Sequence, residues 1–170
     1  MGLHWKRGNW PRFSFQAVID NQKEFGLKQV STVYVVDDDP MIHTWLKAVF
    51  QPEDIPVVTY DNGQQFLQAY SSEHPGCLLL DLQMPEMNGL ELQQALQDKG
   101  NHTPVIFLTA TADVSKAVEA LKNGAFDFLE KPLDRNTLIS CVRKAFEQDL
   151  RDRYEQLQQL QTAQKIEKLT

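Results

Sequence analysis

Residues 76–89 read GCLLLDLQMPEMNG. Four apolar residues, Cys77, Leu78, Leu79 and Leu80, run straight into an acid, Asp81, and a proline follows at position 85. An apolar run of this length without polar alternation fits a strand covered on both faces. A carboxylate at the end of such a strand costs stability unless its charge is balanced or used.

The same pattern recurs along the chain. Short apolar runs stand at Thr32–Val36 (TVYVV), Pro56–Thr59 (PVVT), Pro104–Leu108 (PVIFL) and Phe126–Leu129 (FDFL). Amphipathic stretches of helical length alternate with them. Residues 40–50 put Ile42, Trp45, Leu46 and Val49 on one face, and residues 62–70 do so with Phe66, Leu67 and Tyr70, after an expected N-cap at Asp61. Residues 88–97 use Leu90, Leu92 and Leu96. Residues 113–122 use Val114, Ala117, Val118 and Leu121, with Asn123-Gly124 closing the helix. A last helix from Asp134 uses Leu138, Ile139, Val142 and Phe146. Five strands alternating with five helices predict an α/β fold with a doubly wound, five-stranded parallel sheet. Right-handed crossovers favour the flavodoxin-like order 2-1-3-4-5, in which ligands sit beyond the carboxyl ends of the strands.

A chain of 170 residues is long enough for one domain with a proper core plus tails. Its net charge of −6 is unevenly spread: residues 31–150 carry eight basic and eighteen acidic side chains, whereas residues 1–30 carry five and two. The acidic middle argues against that segment gripping nucleic acid and suits a hard divalent cation better. Cys77 and Cys141 have no cysteine or histidine partner at metal-ligand spacing and read as small buried apolar residues. No apolar run approaches the roughly 20 residues of a membrane span, and Lys6-Arg7 is not followed by the apolar region of a secretory signal. A cytoplasmic protein with no membrane partner is expected. Residues 1–30 mix aromatic, glycine, proline and charged residues without periodicity and are expected to be a poorly ordered extension.

In the predicted sheet, strand 1 ends in Asp37-Asp38-Asp39, strand 3 at Asp81, strand 4 in Thr109-Ala110-Thr111, and strand 5 runs into Glu130-Lys131-Pro132. Strands 1 and 3 are neighbours, so Asp37 or Asp38 should converge on Asp81. Carboxylates sharing a pocket repel and raise one another's pKa, a cost that a cation removes. Oxygen ligands without cysteine or histidine point to Mg²⁺ or Mn²⁺, completed by waters and a phosphate oxygen. Thr109 can donate a hydroxyl to a phosphoryl group and Lys131 can neutralise its charge. The implied chemistry is phosphoryl transfer onto Asp81 by attack of its carboxylate.

The motifs VVDDDP (35–40), LLLDLQMPEMNGLEL (78–92), PVIFLTA (104–110) and AVEALKNGAFDFLEKP (117–132) resemble those of the receiver domains of two-component response regulators, the last most like the FixJ-type subgroup. The resemblance spans about Thr32 to Leu150 and places the receiver at 31–148. It implies that Asp81 is the phosphoacceptor, Asp37 and Asp38 the acidic metal pocket, and Asp38, Asp81 and the backbone carbonyl of Gln83 the Mg²⁺ ligands. It makes Thr109 the switch hydroxyl, Phe128 the switch aromatic and Lys131 the phosphate-contacting lysine, with a cis peptide expected before Pro132. Gln83 and Thr111 should tune dephosphorylation. A sensor histidine kinase is the implied donor, and the face of the fourth helix, fifth strand and fifth helix the implied dimerising surface. The protein would not be an enzyme beyond its own phosphorylation and slow autodephosphorylation. Haloacid-dehalogenase-type phosphatases also use an aspartate nucleophile, but put a second aspartate where this chain has Gln83.

Residues 147–169 contain no proline or glycine, so the last helix should continue. Leu150 and Leu157, with Leu160, suggest a coiled-coil seam. By the same resemblance, residues 149–170 would be a linker toward a DNA-binding output domain absent from this chain, so that a homodimer formed on phosphorylation would act on transcription. A stand-alone receiver or phosphorelay module acting through protein contacts is the alternative.

Overall fold

The computed structural model describes residues 30–168; the expectations for residues 1–29 and 169–170 lie outside the described residues. The strands are β1 (Thr32–Val36), β2 (Val57–Tyr60), β3 (Gly76–Asp81), β4 (Val105–Thr109) and β5 (Asp127–Glu130). The α-helices are α1 (Pro40–Phe50), α2 (Gly63–Ala69), α3 (Gly89–Asp98), α4 (Val114–Lys122) and α5 (Arg135–Lys168). All strand pairs are parallel and the order is β2-β1-β3-β4-β5, the doubly wound sheet expected from the sequence.

Alternation within the apolar strands explains the layers, because successive side chains leave a strand on opposite faces. Val33 and Val35 of β1, Cys77 and Leu79 of β3, and Ile106 and Leu108 of β4 pack with α1 and α5. Tyr34, Val36, Leu78, Leu80, Val105 and Phe107 face the other way and pack with α2, α3 and α4. Each fully buried leucine contributes about 1.5–3 kcal/mol of transfer free energy. β3 is buried over its whole length, which accounts for its unbroken apolar run.

Local details differ from the sequence expectations in two places. The N-cap of α2 is Asn62, not Asp61: the Asn62 side chain accepts from Gln65 N–H at 2.9 Å, while the Gln65 side chain accepts from Asp61 N–H. On α4, Ala117 is buried as expected, but the second buried residue is Ala120, whereas Val118 is 42% exposed. Small side chains bring that helix onto the sheet, and the larger β-branched residue stands outward. Asn123 and Gly124, at φ +99°, end α4 as predicted.

One compact unit runs from Val30 to Asp152, and α5 extends beyond it. Among the seam candidates, Leu150 is buried, whereas Leu157 and Leu160 are exposed. Among the described residues, no helix is long and apolar enough to cross a membrane.

Candidate functional site

Strand register brings the polar residues at the strand ends together. Val36 pairs with Leu80, so Asp37 follows β1 beside Asp81; Asp81 pairs with Leu108, so Thr109 lies one step beyond. Thr109 in turn pairs with Glu130, which puts Lys131 next in line. The result is a pocket in which carboxylate oxygens of Asp37, Asp38 and Asp81 lie within 4.8 Å of one another. Lys131 Nζ stands 3.4 Å from Asp37 Oδ2 and 3.7 Å from Asp81 Oδ2. Its side chain is only 29% exposed, so the attraction is less screened than at an open surface.

The three consecutive aspartates do different things. Asp37 is fully buried, and its Oδ1 accepts from Asp39 N–H at 2.9 Å. Asp38 is exposed at the pocket mouth. Asp39 caps α1, its side chain accepting from Met41 N–H at 2.9 Å, and Pro40 follows at the first helical position. Only Asp39 of the three therefore serves as a helix cap.

Burial pushes the Asp81 carboxyl above its ordinary value. The Gln83 N–H, 3.1 Å from Oδ1, opposes that rise, Asp37 adds to it, Lys131 opposes it and Asp38 adds again. The mutual repulsion anticipated from the sequence is present, but desolvation is the larger cause. One ammonium against three carboxylates leaves an excess of negative charge that an oxygen-coordinated divalent cation would neutralise.

Thr109 is fully buried and its hydroxyl donates to the Ala110 carbonyl at 3.1 Å. Phe128 is half-buried on β5, against the core layer of α2, α3 and α4. Lys131-Pro132 is a cis peptide. Gln83 is exposed, and its carboxamide donates to Asp113 Oδ1 at 2.9 Å. Thr111 opens the 3-10 turn Thr111–Asp113 that precedes α4, and its side chain lies outside what the structure describes. Sequence reasoning had passed over His43 and Asp113. Buried His43 meets the Asp37 carbonyl through Nε2 at 2.7 Å and bolts α1 to the end of β1. Its spacing with Leu46 and Phe50 on the inward face of α1 was the available signal. Asp113 meets Gln83 from thirty positions away, and no spacing reveals that.

The profile of the family described as "Response regulator receiver domain" matches residues 33–143. The transcriptional regulatory protein TdiR of Thauera aromatica is 40% identical over 115 residues, which is 68% of this chain and 51% of TdiR. Among solved structures, the response regulator StyR is similar at a TM-score of 0.78 and 34% identity, covering 83% of this chain and 71% of StyR. The structure of FixJ-N is similar at a TM-score of 0.64 and 36% identity, covering 70% of this chain and 95% of that one. The chain spans about half the length of the curated relatives it matches. With the sheet order, the pocket at the strand ends and these matches in agreement, the chain belongs to the response regulator receiver domain family.

Proposed function

We propose that this chain is the phosphoryl-accepting receiver of a two-component response regulator, with Asp81 the acceptor and a sensor histidine kinase the donor. The observation that carries this reading is the meeting of three carboxylates within 4.8 Å, one of them Asp81, 3.7 Å from the Lys131 ammonium. An all-oxygen donor set with excess negative charge fits Mg²⁺ or Mn²⁺, which Asp37, Asp38, Asp81 and the Gln83 carbonyl would hold. Bound there, the cation supplies electrostatic stabilisation of phosphoryl oxygens.

In the transfer step, a carboxylate oxygen of Asp81 forms the new P–O bond as the P–N bond of a phosphohistidine breaks. The leaving imidazole keeps the electron pair and takes up a proton. Lys131 neutralises one phosphoryl oxygen and stays close to the new acyl phosphate. Burial of Asp81 favours this role, because a desolvated carboxylate exchanges little water before it attacks.

A phosphoryl group adds about −1.5 to −2 charges beside Thr109 and Lys131. Thr109 exchanges its bond to Ala110 for one to the phosphoryl group, Phe128 turns inward, and the α4–β5–α5 face changes shape and dimerises. Gln83 and Thr111 flank the path of the attacking water and set the lifetime. The chain is thus a switch rather than an enzyme acting on external substrates. Its compartment on this reading is the cytoplasm. The receiver occupies 31–148, residues 149–170 link it to an output domain, and control of transcription is the output, a reading supported by TdiR being a transcriptional regulator of which the matched region is about half. Contact with DNA would come through that output domain.

Incubation with Mg²⁺ and acetyl phosphate tests the assignment by intact mass. The wild type should gain one phosphoryl group and Asp81→Asn none. Beryllofluoride with Mg²⁺ should raise the sedimentation coefficient of the wild type alone. Equal modification of Asp81→Asn would remove Asp81 from its role.

A further inference from the structure

Gln83 joins the acidic pocket to the start of α4. Its backbone N–H donates to Asp81 Oδ1 at 3.1 Å, and its carboxamide Nε2 donates to Asp113 Oδ1 at 2.9 Å. The two ends of that second bond differ in mobility. Gln83 sits exposed in a loop, where its side chain has several rotamers to choose from. Asp113 is buried in the 3-10 turn before α4, its own N–H donates to Ala110 O at 2.9 Å, and Lys116 Nζ lies 3.9 Å from the same carboxylate oxygen. The anchored acid therefore fixes the mobile amide. Gln83 and Lys116 also border a cleft of about 390 Å³ with Leu82, Met84, Asn88 and Leu90, which gives a released amide and a water room to move.

We propose that Asp113 is a positioning residue that lengthens the life of the phosphoryl group on Asp81 by tying back the Gln83 carboxamide. The proposal rests on the phosphoacceptor reading of Asp81. In hydrolysis, a water oxygen forms a bond to phosphorus as the P–O bond to the Asp81 carboxylate breaks. That carboxylate leaves with the electron pair, and the water's proton passes to the departing phosphate. A carboxamide free to rotate can accept a hydrogen bond from the attacking water through Oε1 and hold it in line. Tied by its nitrogen to Asp113, it is held toward α4 instead.

Decay of the labelled protein tests this. Wild type, Asp113→Ala, Gln83→Glu and the double variant Gln83→Glu with Asp113→Asn are loaded with radiolabelled acetyl phosphate at saturating Mg²⁺, desalted and followed in time. Loss of one such hydrogen bond should speed decay about two- to tenfold in Asp113→Ala. Gln83→Glu should decay faster to a similar degree, because its carboxylate cannot donate to Asp113 and is repelled by it. That change sits on an exposed residue, so it carries the test even if Asp113→Ala does not fold. The double variant restores a donor–acceptor pair in reverse, since the introduced asparagine amide can donate to the introduced glutamate carboxylate. Its decay should return to within about twofold of wild type. A merely structural role for Asp113 gives no such rescue. Wild-type decay rates in both single variants, or a double variant as fast as Gln83→Glu, would overturn the proposal while leaving the phosphoacceptor reading intact. A wild type that takes no label at all would overturn both.

Discussion

Replacing Gly89 with alanine sets helix propensity against packing. Gly89 opens α3, and at most helical positions alanine is worth about 0.5–1 kcal/mol more than glycine. Here an added Cβ would lie 2.5 Å from the Asp81 carbonyl oxygen, 3.0 Å from Leu82 Cα and 2.9 Å from Phe107 Cε1. Two of these atoms are backbone at the end of β3, and Phe107 is fully buried, so nothing yields easily. Reaching ordinary contact requires a shift of about 1 Å, at an overpacking cost of about 1–3 kcal/mol. The net expectation for Gly89→Ala is a loss of about 1–2 kcal/mol, read as a lower urea midpoint at unchanged slope. The shift falls on Asp81 itself, and a displacement of about 1 Å at a reacting group can cost about 100-fold in rate. Loading from acetyl phosphate should therefore slow as well. Gly100→Ala is the control: at φ +72° it strains the backbone by about 1–2 kcal/mol, but nothing lies within 4 Å of its Cβ. It should lose stability and load normally. A Gly89→Ala protein as stable as wild type, or one that loads at the wild-type rate, refutes this account of how the end of β3 is held.

Other consequences can be measured on the same preparations. Leu79→Ala, which opens a cavity at a fully buried site on β3, should cost about 2–5 kcal/mol, whereas Leu160→Ala, 60% exposed on the extension of α5, should change stability by less than about 0.5 kcal/mol. Mg²⁺ at ten times its dissociation constant should stabilise the wild type by about 1.4 kcal/mol, and a thermal melt of Asp38→Ala should show no such gain. Because the Asp81 pKa is raised in the fold, its ionised form is disfavoured there. The resulting penalty is absent below the ordinary carboxyl value of about 4, grows as pH rises through the folded value, and is complete above it. Asp81→Asn without divalent cation should thus be more stable than wild type at pH 7, and urea melts should show the gap closing as pH falls toward 4.

The order of strands and the convergence of Asp37, Asp38, Asp81, Thr109 and Lys131 were legible because parallel strands leave a strong signature. Runs such as CLLL and VIFL can be buried on both faces only in a sheet covered by helices, and register then carries their polar ends to one edge. On α4, Ala117 was placed on the buried face as found, but Val118 was preferred to Ala120 for its larger apolar area, although small residues are what let that helix approach. The cap of α2 was misplaced by one residue because Asp61 and Asn62 both satisfy the preference, and only backbone geometry chooses. The Gln83–Asp113 bond and the His43 bolt join residues by side-chain direction, which spacing along the chain does not encode.

Three carboxylates share the pocket, so the most direct test asks which of them carries the phosphoryl group. Borohydride reduces an aspartyl phosphate to homoserine, and peptide sequencing of the protein loaded with acetyl phosphate and Mg²⁺ then reads the position. The account predicts homoserine at position 81 alone. Homoserine at 37 or 38, or none in a protein shown to be folded and metal-loaded, would contradict it.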